Sequence, residues 1–535
     1  MSEAYIFEPS LSWRMTMVTL KSYLSGSWQV GNGTDSILIN PSTEEPVATS
    51  NTKGLDFQAA LVFARDKGGP ALRAMNFSQR ADLLKAMSRA LYEQRERLLE
   101  VSRDCNGATR GDSKFDVDGA TGTLSSYAKL GAKLGEHGFR MDGVASNLAA
   151  NARYVGQHVL LPRPGVAVHI NAFNFPAWGT FEKIATAILA GMPVISKPAT
   201  STAWLAYEMM KIVIDANILP EGALSFIAGS SGDLLNHLGP QDVVAFTGAA
   251  STAAMLRGFE PFLHKSTRFN AEADSLNAAI LGPDVQPGDD LWNLFVRNIV
   301  TDMTQKAGQK CTAIRRVFVP SEHVEALEES IQEGLYGLKV GYPTEKEVRM
   351  GPVASAAQLR DVRLGIETLA KHADIVVGGS EPVQGLHAPE GKGYFVAPTL
   401  LRAHDTNNPI FHELEVFGPC ATILPYSGDA TQGASLIARG EGCLVSSAYS
   451  NKRDWLREIC FAAAPWNGRL QLCSKKVSDS ALPPGMVLPN QLHGGPGRAG
   501  GGEELGGERG LALYCNRVAL QGDRLMLSKL LGSDI

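Results

Sequence analysis

From residue 163 to about 260 the chain repeats one rhythm. An apolar run GVAVHI is followed by a helical stretch FEKIATAILAGM, a short PVISKP, a helix from about 201, LSFIAG, another helix, VVAFTG and a further helix. Short buried strands alternating with helices predict a parallel sheet covered on both faces, with its ligand crevice at the carboxyl ends of the strands. After about 275 a second alternating region runs through NAAILG, AIRRVFVP, a helix near 321 to 335, TILPY and LVSSAYS. The expectation is an α/β protein with two doubly wound lobes, and 535 residues suit two or three lobes. An amphipathic helix is expected over 78–104, where apolar residues recur at three- and four-residue intervals.

Several function classes are disfavoured. A formal net charge of -5 with no basic block offers no electrostatic footprint for nucleic acid or an anionic membrane. No uncharged apolar run is long enough to span a bilayer, and Glu3 and Glu8 with no following apolar region do not suit a secretory leader, so a cytoplasmic protein is expected. Met15 and Met17 leave the biological start open. The seven cysteines are Cys105, Cys311, Cys420, Cys443, Cys460, Cys473 and Cys515, an odd number with no C-x-x-C pair, which argues for free thiols. The eleven histidines show no H-E-x-x-H pattern and none stands at zinc-ligand spacing to a cysteine pair, so no metal is expected.

Four segments carry chemistry-bearing residues. Gly308-Gln309-Lys310-Cys311-Thr312 sets a cysteine beside a lysine, and a nearby cation lowers a thiol pKa and raises the nucleophilic thiolate fraction; a small core cysteine is the bland alternative. Glu272 and Asp274 stand two apart beside a strand-like run, where solvated charges are the ordinary reading. Asn171-Ala-Phe-Asn174-Phe175-Pro176 follows a buried strand, so its asparagines are either turn residues or donors to an oxyanion. Thr247-Gly248-Ala249 ends a strand and opens a helix, where N–H groups suit a pyrophosphate. Residues 494–507 hold eight glycines in fourteen and predict a loop packed closely on something else; no Gly-Lys-Ser/Thr follows, so no P-loop is indicated.

Taken together, the residues resemble the aldehyde dehydrogenase superfamily over roughly 20–535. Phe173-Asn174-Phe175-Pro176, Ser196-Lys197-Pro198-Ala199, Gly308-Gln309-Lys310-Cys311 and Glu415-Val416-Phe417-Gly418-Pro419 are similar to its asparagine, cofactor-lysine, nucleophile and nicotinamide-ribose motifs, in the family's order. The resemblance implies that Cys311 attacks the aldehyde, that Asn174 and the Cys311 backbone N–H hold the oxyanion, and that Glu272 activates water on the resulting thioester. Such a base is favoured by a pKa raised by burial. The family's glutamate is usually followed by Gly-Gly, whereas Ala273-Asp274 follow here, and Asp274 stays an alternative base.

The resemblance also implies a nicotinamide dinucleotide held by Phe173, Lys197, Thr200, Ser201, Gly229, Thr247, Gly248, Ala249, Ala273, Glu415 and Phe417. Gly229 is equally a plain turn glycine, and Ala249 stands where relatives often have serine. Many NAD-using members carry glutamate three residues after the lysine; here Thr200, Ser201 and Thr202 follow. Without that carboxylate a 2'-phosphate meets no repulsion, so NADP is favoured over NAD. Glu272-Ala-Asp274-Ser-Leu-Asn277 together with the glycine-rich segment resembles a branch acting on semialdehydes that carry a coenzyme A thioester in aerobic aromatic degradation. Simple aldehydes, a coenzyme A-acylating reaction and a silent binding protein are the alternatives.

The implied organisation is a dinucleotide-binding domain at 20–143 and 163–274, a catalytic domain at 275–510, and a small β oligomerisation element at 144–162 and 511–535. In that element Tyr154 to Pro162 is expected to pair with another copy in a homodimer. The expected partners are a small aldehyde and the chain itself.

Overall fold

The computed structural model describes residues 17–535. Met15, Glu3 and Glu8 lie outside the described residues, as does most of the segment around the candidate starts.

Two seven-stranded sheets organise the chain. In the first lobe Arg268–Glu272, Val243–Thr247, Ala167–Ile170, Val194–Lys197 and Leu224–Phe226 lie side by side in that order and all parallel. Ser22–Leu24 and Ser27–Gln29 extend the far edge antiparallel. The chain starts the order at Ala167–Ile170, builds outward on one side and then returns to the other, so the direction reverses between Ala167–Ile170 and Val243–Thr247. A crevice at such a reversal is where open α/β sheets take ligands. The second lobe orders Ala373–Val377, Thr399–Ala403, Cys420–Tyr426, Arg316–Pro320, Ala278–Leu281, Cys443–Tyr449 and Asn467–Cys473, with only the first strand antiparallel. This is the α/β doubly wound class expected from the rhythm.

Three local expectations give way to the surrounding structure. The helix expected over 78–104 is two helices, Phe77–Glu93 and Arg95–Asn106, broken where Gln94 leaves helical backbone angles at φ -103 and ψ 13. The helix expected after LSFIAG is a four-residue turn, Leu234–His237; Gly229, Gly232, Gly239 and Pro240 crowd that stretch and leave no length for a helix. Tyr154–Pro162 is the middle strand of a three-stranded antiparallel sheet, flanked by Arg140–Asn147 and Cys515–Asp523. Both of its edges are therefore already hydrogen-bonded, and any pairing with a second copy falls to the two outer strands. The first of those begins at Arg140, ahead of the expected 144.

The glycine-rich segment does not stay with the second lobe. Leu492–Gly494 and Glu503–Leu505 form an antiparallel ribbon with His493 directly opposite Glu504. The ribbon lies on the strand Arg268–Glu272: Gly502 N–H donates to the Ala271 carbonyl, and Ala273 N–H to the Ala499 carbonyl, each at 3.0 Å. A Cβ at Gly500 or Gly502 would stand 2.3 Å from the Ala271 carbonyl oxygen, so only glycine allows this approach. On its other side Arg498 donates to the carbonyls of His412 and Glu413. The ribbon thus bridges the two lobes.

Candidate active site

A cleft of about 500 Å³ opens at the strand-order reversal, lined by Asn171 and Thr247 from the two strands that flank it. Among its other walls are Asn174, Glu272, Cys311 and His493. Glu272 ends its strand in register with Thr247. Cys311 lies in the turn ahead of Arg316–Pro320, at the amino end of the second sheet. The cleft therefore joins the carboxyl end of one sheet to the amino end of the other. One ligand atom each from Glu272, Cys311 and His493 lie within 4.8 Å of one another.

The turn that presents Cys311 is held from several sides. The Asn277 amide donates to the carbonyls of Cys311 (2.8 Å) and Ala313 (2.9 Å). Lys306, Ala307 and Gly308 run consecutively at positive φ, 54°, 52° and 67°. Left-handed backbone is costly for residues with a Cβ and persists only where the surroundings enforce it. They do so here: a Cβ at Gly308 would come within 2.1 Å of the Gly418 carbonyl, so the turn that carries Cys311 presses directly on the Glu415-to-Pro419 motif. Arg315 ties the same pair, donating to the carbonyls of Gly308 (2.8 Å) and Gly418 (2.7 Å) while its Nε lies 3.7 Å from Glu415. Phe173 and Phe417 meet edge to face at 5.8 Å.

Two donors face the thiol region. The Asn174 amide gives one N–H to the Gln309 carbonyl at 3.0 Å and retains a second. Among the described residues no acceptor takes the Cys311 backbone N–H. That pair can stabilise an oxyanion.

Lys310 does not serve Cys311. Its ammonium turns away into a buried ion pair with Asp302 (2.6 Å) and a hydrogen bond to Gln305 (2.9 Å), because a buried ammonium must be paired. Burial first, and then the Glu272 carboxylate, push the Cys311 thiol well above its ordinary value. The resting thiol is protonated, and the nearest base is Glu272. Glu272 itself departs from expectation: burial raises it, but the His493 imidazole and Lys183 ammonium outweigh burial and hold the carboxyl below its usual range. His493 Nε2 stands 3.0 Å from Glu272 Oε2. Asp274 faces elsewhere, accepting at 2.8 Å from the N–H of Ala250, the first residue of the helix Ala250–Arg257. It is a helix cap rather than a base. That cap occupies the Ala250 N–H just beyond Thr247-Gly248-Ala249, and within that segment the Gly248 N–H is spent on the Glu272 carbonyl at 3.2 Å.

Behind Glu272 lies a buried charged chain. Lys183 Nζ is 2.9 Å from Glu504 Oε2 and 3.6 Å from Glu182 Oε1. The Asn270 amide donates to Glu504 at 3.2 Å. Burial pushes Glu182 up to about 7. Sequence reasoning missed Glu182, Lys183, His493 and Glu504. One signal was present for the first two: they interrupt a helix, Trp178–Ala190, that is otherwise apolar, and buried charges require partners.

The residues expected at a dinucleotide present free polar groups. The Thr247 hydroxyl and Glu415 Oε1 are buried without hydrogen-bond partners. Gly229 holds φ +145, where a Cβ would meet the Thr52 side chain at 2.9 Å. Burial lowers the Lys197 ammonium, which among the described residues forms no ion pair. Thr200 and Ser201 are accessible on a short turn, whereas the Thr202 hydroxyl is spent on the Phe173 carbonyl at 3.0 Å. Unsatisfied acceptors and donors at the strand ends, with glycine where the backbone must be approached, fit a dinucleotide.

The sequence profile of the aldehyde dehydrogenase family matches residues 28–478. A 3,4-dehydroadipyl-CoA semialdehyde dehydrogenase from Aromatoleum evansii is 43% identical over 478 residues, 89% of this chain and 93% of that protein. A geranial dehydrogenase from Castellaniella defragrans is 27% identical over 430 residues, covering 78% of this chain and 83% of its own. Among solved structures, betaine aldehyde dehydrogenase from Staphylococcus aureus superposes with a TM-score of 0.81 at 21% identity, covering 95% of this chain and 96% of that one. No helix among the described residues is long and apolar enough to cross a membrane.

Proposed function

Because this chain belongs to the aldehyde dehydrogenase family, we propose that it oxidises a semialdehyde carrying a coenzyme A thioester to the carboxylic acid, through a thioester on Cys311, with NADP as the preferred hydride acceptor. The observation that carries the mechanism is the meeting of the Cys311 thiol and the Glu272 carboxylate in one cleft, beside a free Cys311 N–H and the Asn174 amide. The relative from Aromatoleum evansii supports the substrate class and a place in aromatic degradation, and the substrate by that reading is 3,4-dehydroadipyl-CoA semialdehyde.

Each residue has a defined task. Glu272, whose carboxylate reaches the thiol, takes the thiol proton, and the thiolate attacks the carbonyl carbon to give a hemithioacetal oxyanion. Asn174 and the Cys311 N–H receive that oxygen. The bound dinucleotide supplies the acceptor for the hydride that leaves this carbon. Glu272 then removes a proton from water as it attacks the thioester, and Cys311 leaves as the thiolate with release of the acid. Before the water step the proton taken from the thiol must leave Glu272, and the buried ionisable groups around that carboxyl are His493, Lys183 and Glu182. Lys197, Thr200 and Ser201 would hold the adenosine end, Thr247 and Gly248 the middle, and Glu415 with Phe417 the nicotinamide ribose. A coenzyme A-acylating reaction has no need of a water-activating carboxylate, and Glu272 favours hydrolysis.

Self-association through the outer strands Arg140–Asn147 and Cys515–Asp523 completes the reading. Val144 is 89% exposed on the first, and Leu525, Met526 and Leu530 are exposed on the helix that follows the second. Such apolar exposure suits contact with another copy.

The test is NADPH or NADH formation at 340 nm with butanal, hexanal, benzaldehyde and 3,4-dehydroadipyl-CoA semialdehyde. Fast turnover of the coenzyme A semialdehyde with NADP is expected; turnover of simple aldehydes only would discard the substrate class and keep the mechanism. Thr200→Glu should shift the ratio of kcat/KM values from NADP toward NAD by about tenfold, through repulsion of the 2'-phosphate. An unchanged ratio would place phosphate recognition on other residues.

A further inference from the structure

We propose that His493 is a positioning residue that governs the basicity of Glu272: as a neutral imidazole it aims the carboxylate with one N–H bond, and as an imidazolium it locks the carboxylate into an ion pair that cannot take a proton from water. The inference deepens the reaction proposed above and rests on it.

Geometry carries the argument. The ribbon docks on the strand of the base through two matched rungs, Asn270 to Glu504 at 3.2 Å and Glu272 to His493 at 3.0 Å. His493 and Glu272 are 3% and 2% exposed. Two atoms of this pair are buried and unpartnered: His493 Nδ1, on the far side of the ring, and Glu272 Oε1. The second of these is the oxygen left for water and the thiol. With no acceptor at Nδ1, an imidazolium leaves one buried N–H unsatisfied, whereas the neutral ring protonated on Nε2 satisfies its only N–H against Glu272. The neutral form therefore leaves a carboxylate with one hydrogen bond and a free oxygen, which is what a base requires.

The groups facing His493 set the direction of its titration. Glu272 comes from the base strand, Cys311 from the nucleophile turn, Glu182 and Lys183 from the helix Trp178–Ala190, Glu504 from the opposite strand of the ribbon and Arg469 from Asn467–Cys473. Burial lowers His493, but Glu272 and Glu182 outweigh it and raise the ring above its ordinary value. The gate consequently opens as pH rises: thioester hydrolysis should increase through a limb lying above the ordinary histidine range of about 6.5.

The test separates acylation from hydrolysis, using hexanal and the coenzyme A semialdehyde with NADP in stopped flow and in the steady state from pH 6 to 9.5. His493→Gln keeps an N–H donor and cannot titrate; its limb should move down by about one pH unit or more, with turnover at pH 8.5 within about threefold of wild type. His493→Phe removes the donor, and its steady-state rate after the burst should fall by about tenfold or more. Both variants are checked for NADP binding, and either one that binds the cofactor decides the matter through its own readout. A limb unmoved in His493→Gln, or a steady-state rate in His493→Phe equal to wild type, would overturn the proposal. Failure of the underlying reaction looks different: wild type would then show no burst and no turnover with any aldehyde.

Discussion

Cys311→Ala should lower turnover by at least about a thousandfold while leaving NADP binding within a few-fold of wild type. Removing a covalent nucleophile removes the route itself, and losses of this size or larger follow when one member of such a unit is lost. No second thiol can substitute: none of the other six cysteines lines the cleft, and Cys105, Cys420, Cys443, Cys473 and Cys515 are buried elsewhere. The cofactor-binding candidates lie on the opposite lobe's strand ends and on Glu415, and none needs the sulfur. Steady-state rates beside a fluorescence titration with NADP decide it. Turnover retained within tenfold would end the thioester mechanism.

Glu272→Gln should show a burst of NADPH close to one per active site, followed by a steady state slowed about a hundredfold or more, the usual cost of losing a positioned general base. The amide keeps a hydrogen-bonding atom near His493, so the ribbon should stay docked. A second consequence has the opposite sign. The Glu272 carboxylate, after burial, is what holds the Cys311 thiol up, so a neutral side chain there lets the thiol pKa fall. At a fixed neutral pH the variant should therefore react faster with iodoacetamide than wild type, even as it turns over more slowly. Wild-type turnover would move the base to another residue; slower alkylation would mean that proton removal by Glu272 outweighs its repulsion of the thiolate.

Much of the fold was legible because its signals are local. The parallel strands from Ala167 to Glu272 announce themselves as short apolar runs, and glycine and proline punctuate them. Of the residues gathered in the cleft, Asn174 and Cys311 stand in motifs in order, and Glu272 stands out despite the Ala273-Asp274 that replace the usual Gly-Gly. What failed were inferences from sequence adjacency. Lys310 is next to Cys311 in the chain yet is committed to Asp302, because the cost of an unpaired buried ammonium outweighs any benefit to a neighbouring thiol. Thr202 follows Thr200 and Ser201 in the chain, yet its hydroxyl is committed to the Phe173 carbonyl. Tyr154–Pro162 looked like an edge because its apolar content suits an interface, but the same content suits the middle of a small sheet. His493 and Glu504 were invisible for the complementary reason: Asn270 and Glu504 are 234 residues apart, and no local pattern reports a partner that distant.

That separation has a consequence for the making of the protein. A chain emerging from the ribosome acquires Glu272 and Cys311 well before the ribbon that docks His493 and Glu504 beside them. Until the last part of the chain folds back, the base strand lacks its cover over Ala271 and its two matched partners. A chain synthesised only as far as Cys311 carries the thiol without His493 and Glu504, the ribbon residues that cover the strand of Glu272.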